Sequence, residues 1–278
     1  MIDSPAHHGG LGFKHKRVQR LRKLVQRHTA RQAERAFVVD SLKVLDAALD
    51  AGAVIESLYL PPADRRTDVA GGDPAVANPV IGRALAAGIR ASDLGPGVLE
   101  RVAGTVTPQP VLAVAPYVDV PLDALRDADL VVVCVDVRDP GNLGTVLRTA
   151  EAAGVGGVIC CDGTVDVYNP KCVRASAGSL FHVRVVAGGE PEKVLATLGE
   201  WGLHRMATRP SGGQAYHQAD LIRPTAIVLG NEASGLPEGL DRLVDETVTI
   251  PMAGRGESLN VGMAAAVLCF EAARQRAT

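Results

Sequence analysis

The sequence predicts an α/β protein in two parts, a small α/β domain followed by a C-terminal domain built on a parallel sheet. From residue 130 onward, apolar segments of strand length alternate with segments of helical periodicity, which is typical of a parallel sheet with helices on both faces. Residues 116–129 contain Pro and Asp and few periodic apolar positions, so we expect a linker there. The predicted boundaries are therefore 1–115, 116–129 and 130–278.

The first domain is predicted from short patterns taken in chain order. Apolar residues at helical spacing (Val18, Leu21, Leu24 and Val25) indicate a helix, Gly52 ends a second helix, and Pro61-Pro62 ends a strand. Asp, Pro and Gly residues indicate a loop at 63–79. In order, we expect a helix over 14–35, strand 36–39, helix 41–51, strand 54–60, helix 80–87, strand 88–91, a helix over 92–102 interrupted by Gly95-Pro96-Gly97, and strand 111–115.

The second domain begins with the continuous apolar run DLVVVCVD, which is typical of a strand buried on both faces. Helical and strand-like segments then alternate to the end of the chain. We expect strand 130–136, helix 143–153, strand 157–161, helix 170–177, strand 183–186, helix 190–201, strands 203–208 and 225–229, short helix 239–244, strand 246–250 and helix 260–276.

Bulk composition limits the class of protein. Of the 278 residues, 47% are hydrophobic and 22% charged, which is ordinary for a globular protein. The longest apolar runs fall well short of the roughly 20 residues that a membrane helix needs, and residues 1–16 lack the apolar stretch of a signal peptide. Five cysteines without C-x-x-C spacing indicate buried, reduced thiols rather than zinc or disulfides. We expect a cytoplasmic protein without a metal.

Charge is unevenly distributed along the chain. Residues 1–112 contain 15 Lys and Arg against 11 Asp and Glu, a net charge of +4, while the remainder contains 14 against 20, a net charge of −6. Between Lys14 and Arg35, nine Lys and Arg face one acid, Glu34. A basic segment on an otherwise acidic protein indicates contact with a polyanion, although a charge run is also compatible with a solvated helix face.

Three Gly- and Asn-rich loops follow predicted strands, at the edge where open α/β sheets bind ligands. Each has a purely local interpretation. Asn142 fits a helix start, Ser258 and Asn260 fit helix caps, and Glu232 and Arg148 fit exposed surface positions. The chain contains neither G-x-x-x-x-G-K-[ST] nor G-x-S-x-G, which disfavours a phosphate-loop NTPase and an α/β-hydrolase.

Together, the three loops closely resemble the signature motifs of the SpoU (TrmH) branch of the SPOUT methyltransferases. The motifs are GNLGTVLRTAEAAG, IVLGNEASGL and IPMAGRGESLNVGMAAAVLCFE, and the resemblance spans residues 130–276. Gly262 departs from the family, which often has Ser there. The resemblance implies a deep trefoil knot, a homodimer with active sites at the subunit interface, and S-adenosylmethionine as cofactor. By position, the implied cofactor-binding residues are Thr208, Gly230, Ile250, Leu259 and Asn260.

The same resemblance implies transfer of a methyl group to an RNA ribose 2′-hydroxyl. It assigns Arg148 to the reaction step. Because a guanidinium stays protonated in ordinary protein sites, our hypothesis is that Arg148 clamps an RNA phosphate and stabilises developing negative charge, while the phosphate or water takes the proton. Asn142 is expected to orient Arg148 and the ribose. The implied positions also include Glu232, fixing a neighbouring Arg or the first loop, and Ser258 and Asn260, holding the substrate hydroxyl and the last turn.

The N-terminal domain resembles the small ribosomal-protein-like RNA-binding domain that precedes the catalytic domain in rRNA-modifying members. Large-subunit (23S) rRNA is therefore favoured as substrate, with tRNA as the alternative. A second RNA-facing arginine of the family matches Arg174, which is equally compatible with an ordinary surface position. The residues expected to contact RNA phosphates are Lys14, Lys16, Arg17, Arg20, Arg22, Lys23, Arg27 and Arg174.

Two other classes of protein compete with an enzyme of this family. One is a catalytically silent RNA-binding protein of the same fold, which the presence of all five implied active-site residues disfavours. The other is a nucleotide-dependent oxidoreductase on a doubly wound sheet. That class calls for G-x-G-x-x-G directly after the first strand, and DPGNLG does not supply it.

Overall fold

The computed structural model describes residues 10–62, 78–104, 107–254 and 258–277. Within them the helices are α1 (Lys16–Gln26), α2 (His28–Glu34), α3 (Leu42–Asp50), α4 (Pro79–Ala86), α5 (Val98–Ala103), α6 (Pro140–Ala152), α7 (Pro170–Ala175), α8 (Pro191–Glu200) and α9 (Val261–Arg276). The strands are β1 (Ala36–Val39), β2 (Ser57–Leu60), β3 (Ala91–Asp93), β4 (Leu112–Pro116), β5 (Leu130–Cys134), β6 (Gly157–Cys160), β7 (Val185–Ala187), β8 (His204–Thr208), β9 (Gln214–Ala215), β10 (Thr225–Leu229) and β11 (Glu246–Thr249).

The chain forms two compact units. The first is Met1–Tyr117 together with Tyr168–Phe181, and the second is Val118–Val167 together with His182–Thr278. This differs from the expected boundaries in that Tyr168–Phe181, from the predicted second domain, belongs to the first unit. The expected linker also differs, because residues 118–129 lie with the second unit. There Leu125 is fully buried in the core, and Val120 N donates to Val185 O at 2.8 Å.

The first unit contains a four-stranded sheet in the order β1-β4-β2-β3. Its β1–β4 and β2–β4 pairs are antiparallel and its β2–β3 pair is parallel. The helix expected over 14–35 is two helices, because Arg27 between them has an extended backbone. The helix expected over 92–102 starts only at Val98, after Gly97 in the left-handed region, and Ser92 belongs to β3. Most of the loop predicted at 63–79 lies outside the described residues.

The second unit contains a seven-stranded sheet in the order β7-β6-β5-β10-β8-β11-β9, and every adjacent pair is parallel. The central strands β5 and β10 are buried along their whole length, as continuous apolar runs predict. The two-residue edge strand β9 was not predicted, since it carries no strand-like pattern. A parallel sheet brings the carboxyl ends of its strands to one edge, and this edge positions the site.

The described cysteines are buried, and burial raises the pKa of the Cys161 and Cys269 thiols to about 12. These thiols therefore stay protonated at neutral pH. Within the described ranges, no helix combines the length and apolar character needed to cross a membrane.

Candidate active site

A cavity of about 230 Å³ lies at the carboxyl edge of the parallel sheet. Its wall comes from the ends of β8, β10 and β11 and from the start of α9. Of the predicted cofactor-binding residues, Thr208, Gly230, Ile250 and Leu259 line it; Asn260 is adjacent in sequence to two lining residues. The described lining residues are Thr208, Arg209, Pro210, Gly230, Asn231, Glu232, Ala233, Gly235, Val248, Ile250, Met252, Ser258, Leu259, Val261, Ala264 and Leu268.

Glu232, Asn142 and Asn260 form a chain of hydrogen bonds beside this cavity. Asn142 Nδ2 donates to Glu232 Oε1 at 2.9 Å, and Asn260 Nδ2 donates to Asn142 Oδ1 at 2.7 Å. Glu232 also accepts the backbone N–H groups of Arg138 (3.2 Å) and Asp139 (3.3 Å). Partial burial opposes ionisation of Glu232, but these hydrogen bonds outweigh it and lower the pKa of the carboxyl. One residue from each of the three motifs thus meets at a single point.

Side-chain caps fix the starts of the two helices that carry this chain. Asp139 Oδ1 accepts the N–H of Asn142 at 2.9 Å, with Pro140 as the first residue of α6. Asn260 Oδ1 accepts the N–H of Gly262 at 2.9 Å, so Asn260 caps α9. The side-chain oxygen of Asn260 thus caps the helix, as the local interpretation predicts, and its side-chain nitrogen donates to Asn142.

At Gly262, helix α9 lies directly against Thr145 of α6. A Cβ atom added at Gly262 would lie 2.9 Å from both Cβ and Cγ2 of Thr145 and 3.2 Å from Asn260 Oδ1. The departure from the family's frequent Ser therefore has a steric reason in this chain, where Thr145 fills the space.

Gly230 and Gly235 close a tight loop on the cavity wall. Asn231 N donates to Gly235 O at 2.8 Å, and Gly235 N donates to Asn231 O at 3.0 Å. A Cβ atom at Gly230 would lie 2.5 Å from the backbone carbon of Gly235, so only glycine fits there.

Arg148 and Ser258 stand apart from the hydrogen-bonded chain. Arg148 is exposed on α6, and it makes no hydrogen bond or ion pair with any described residue. Asn142 therefore bonds to Glu232 and Asn260 and not to Arg148, which differs from the expected orienting contact. Ser258 is exposed and lines the cavity.

Sequence reasoning did not single out Asp136, Arg138 and Asn231, which support the same edge. Asp136 follows β5 with φ of 56°, a left-handed conformation that a non-glycine residue seldom adopts. Asn231 Nδ2 donates to the backbone oxygen of Asp136 at 2.9 Å, and Arg138 Nε donates to Asp136 Oδ1 at 2.8 Å. Their positions in the sequence could have indicated this role, since Asp136 follows a buried strand and Asn231 lies inside the second motif.

The predicted RNA-contacting residues of α1 and its flanks fall into two groups. Arg17 donates to Ser92 (3.2 Å), Arg20 pairs with Glu34 (2.5 Å) and Glu56 (2.9 Å), and Arg22 lies over the ring of Phe13. These three arginines therefore have partners within the protein. The other four are exposed, namely Lys14, Lys16, Lys23 and Arg27.

Arg174, in α7, forms an ion pair with Asp40 inside the first unit. Burial raises the pKa of the Asp40 carboxyl, and the guanidinium of Arg174 opposes this only in part. Arg174 is therefore half-buried and paired with an acid of the protein.

Within the described part of the chain, no three His, Cys, Asp or Glu residues are grouped so that they could hold a metal ion. The site is therefore built from amide, carboxylate and guanidinium groups around a partly apolar cavity.

The structure thus has a parallel sheet with a cavity at its carboxyl edge and three loops there that are joined by hydrogen bonds. Solved structures with the same fold are RNA methyltransferases. The chain matches the SpoU methyltransferase AviRb from Streptomyces viridochromogenes in complex with the cofactor AdoMet, with TM-score 0.82, 28% identity, and coverage of 95% of this chain and 99% of that chain. It matches the rRNA methyltransferase from Sinorhizobium meliloti with TM-score 0.79, 30% identity, and coverage of 95% and 97%.

The chain belongs to the SpoU rRNA Methylase family, whose model matches residues 129–270. A model of the MRM3-like substrate binding domain matches residues 15–113. A relative in Bacillus subtilis strain 168, the 23S rRNA (guanosine(2553)-2′-O)-methyltransferase RlmP, is 37% identical over 186 residues, which cover 67% of this chain and 73% of the relative. The predicted fold class and family are confirmed, and the nucleotide-dependent oxidoreductase alternative is wrong.

Proposed function

We propose that this protein methylates a ribose 2′-hydroxyl in 23S rRNA, with S-adenosylmethionine as the methyl donor. The observation that carries the proposal is the hydrogen-bonded chain Glu232–Asn142–Asn260 beside the cavity, because it joins all three motifs at one point. The named activity of the Bacillus subtilis relative, a 23S rRNA 2′-O-methyltransferase, supports the same reaction.

The cavity fits the proposed cofactor in its chemistry. Ile250, Leu259, Val261 and Leu268 provide an apolar wall suited to a purine ring, and the loop of Gly230 lets the backbone come close. Its volume of about 230 Å³ is slightly below the ~300 Å³ at which ligand pockets usually begin. When bound there, S-adenosylmethionine supplies an electrophilic methyl group on a sulfonium.

The side chains have separable roles in this proposal. Arg148 is exposed and without a described partner, so its guanidinium is available to bind an RNA phosphate with two parallel hydrogen bonds. Its fixed positive charge then stabilises the negative charge that develops on the ribose oxygen, while the phosphate or water takes the proton. Ser258 offers a hydroxyl at the cavity wall to the substrate hydroxyl. Glu232 and Asn142 hold the loops in place.

The first unit supports rRNA as the substrate. It matches a substrate binding domain over residues 15–113, and it exposes Lys14, Lys16, Lys23 and Arg27 around α1. Exposed cations of this kind bind phosphates by releasing counterions, which gives affinity without sequence preference. We place this activity in the cytoplasm, as expected for an enzyme that acts on ribosomal RNA.

We also propose a homodimer formed through α9. Met263 and Phe270 lie seven residues apart on α9 and are 59% and 51% exposed, with the half-buried Ala266 and Val267 between them. This spacing produces an apolar stripe along one face of the helix, which a second copy would cover. Sedimentation of Phe270→Glu should then show monomers where the unaltered protein shows dimers.

The test of the proposed reaction is methyl transfer from labelled S-adenosylmethionine to separate pools of unmodified rRNA and tRNA. We expect label in the large-subunit rRNA and none in tRNA. Label in tRNA alone would assign the enzyme to the other substrate class. Failure to bind the cofactor at all would identify a silent RNA-binding protein instead.

A further inference from the structure

Arg209 is placed on the cavity wall by the sheet itself. It follows the last residue of β8, and its backbone N–H donates to Val248 O of β11 at 2.9 Å. The backbone position is therefore set by the register between two strands. Arg209 is also one of the residues that line the cavity.

The guanidinium of Arg209 is held from one side only. One of its terminal nitrogens forms an ion pair with Asp241, which lies on a short turn of 3-10 helix, Leu240–Leu243. Leu240 is buried in the core of the second unit and anchors this turn. The Arg209 side chain remains 43% exposed, and its described bonds use one nitrogen of a group with five N–H donors.

Glu232 is the other charged residue among the described lining residues, and its carboxylate is already occupied. Its two oxygens accept N–H groups from Arg138, Asp139 and Asn142. Arg209 thus brings to the lining residues a guanidinium that is paired with Asp241 through one nitrogen and has further N–H donors open, while the oxygens of Glu232 are used within the protein. The open N–H groups of Arg209 are suited to hydrogen bonds with an anionic group in the cavity.

We propose that Arg209 binds the α-carboxylate of the methionyl part of S-adenosylmethionine, and that Asp241 holds the guanidinium in position. The inference rests on the proposed function, because it assumes this cofactor in the cavity. Arginine suits the task because its planar fork matches the two oxygens of a carboxylate. An RNA phosphate is the competing anion, and the experiment below separates the two.

The experiment compares two nucleosides by calorimetry. S-adenosylhomocysteine retains the α-carboxylate, whereas 5′-methylthioadenosine lacks the whole amino-acid part. We expect Arg209→Gln to weaken binding of S-adenosylhomocysteine by about tenfold or more, since a charge-assisted hydrogen bond is lost. Binding of 5′-methylthioadenosine should stay unchanged. For S-adenosylhomocysteine, the affinity of Arg209→Lys should fall between those of the unaltered protein and Arg209→Gln. The control is Arg242→Gln, at an exposed arginine on the same turn as Asp241, and it should bind both nucleosides normally.

Each other outcome overturns the inference in a recognisable way. Equal weakening for both nucleosides would mean that Arg209 only maintains the shape of the cavity. Unchanged nucleoside affinity with weakened RNA binding would assign Arg209 to a phosphate. If the unaltered protein bound neither nucleoside, the proposed function would fail together with this inference, whereas normal binding with an inert Arg209→Gln would remove the inference alone.

Discussion

Asn142 donates a hydrogen bond of 2.9 Å to Glu232, a residue 90 positions further along the chain. The bond joins the start of α6 to the loop after β10, and Glu232 also accepts two backbone N–H groups that precede α6. A single carboxylate therefore fixes the geometry of the first motif. We regard this bond as the contact on which the alignment of the site depends.

Replacing Glu232 by Gln should reduce turnover by on the order of 10- to 100-fold, because an amide nitrogen would face N–H donors that now meet a carboxylate oxygen. Single-turnover methyl transfer measures this. Binding of S-adenosylhomocysteine should change much less, since the carboxylate is used within the protein. Wild-type turnover in the variant would show that the carboxylate has no role.

The pH dependence follows from the lowered pKa of Glu232. Partial burial opposes the shift, but hydrogen bonds from Asn142 and from the backbone favour the ionised form and dominate. A lowered pKa means that the stabilising effect is complete above the ordinary value of about 4.3 and is lost as the pH falls through the folded-state pKa. The ratio of variant to wild-type turnover should therefore be constant between about pH 6 and 9. A ratio that returned to one at either end would contradict a permanently ionised Glu232.

Replacing Arg148 by Lys should lower turnover by about tenfold or more, because lysine keeps the charge but loses the two-pronged hydrogen bonding to a phosphate. Methyl transfer at saturating cofactor measures this, with thermal unfolding as a check on folding. Arg126→Lys is the matched control, since Arg126 is an exposed arginine of the same unit away from the cavity. Undiminished turnover of Arg148→Lys would rule out the bidentate role.

Introducing a methyl group at Gly262 should destabilise the fold by about 1–3 kcal/mol, because the new Cβ would overlap Thr145 where α6 meets α9. Chemical denaturation of Gly262→Ala measures the loss, and adding Thr145→Ala should recover part of it. Gly82→Ala is the control: this helical glycine of α4 has open space around it, so alanine should stabilise by about 0.5–1 kcal/mol. Equal effects at the two glycines would contradict the tight crossing.

Reversing the charge of Lys14, Lys16 and Lys23 should weaken rRNA binding and flatten its dependence on salt. Each lost phosphate contact should reduce the slope of log K against log salt by about 0.7–0.9. Filter binding over a series of salt concentrations measures both quantities. Lys43→Glu, a reversal at an exposed position on α3, should leave the slope unchanged. An unaltered slope in the triple variant would place the RNA elsewhere.

The strands of the parallel sheet could be predicted because burial on both faces leaves a continuous apolar run. The boundaries of β10 agree with the sequence at both ends, and those of β5 at its start. Patterns failed where conformation depends on a single residue or on packing, as at Arg27, which divides one amphipathic segment into two helices. The segment 116–129 was predicted as a linker because its few apolar residues are not periodic, although one of them, Leu125, is fully buried.

The site was predicted from motifs, and the structure supplies the contacts that motifs do not encode. Asn142, Glu232 and Asn260 meet, whereas Arg148 bonds to none of them. In the sequence, Arg174 and Arg20 cannot be distinguished from exposed cations. In the structure, both form ion pairs with acids outside their own helix. Such pairing cannot be read from local charge, because it depends on how the chain folds the partners together.

The most direct test of the central claim is to locate the transferred methyl group on the RNA. Large-subunit rRNA labelled by this enzyme is hydrolysed with alkali, which cleaves a phosphodiester only next to a free ribose 2′-hydroxyl. We predict that the label is recovered in an alkali-resistant dinucleotide, and that Asn142→Ala lowers its yield. Label recovered in a mononucleotide would place the methyl group on a base and contradict ribose methylation.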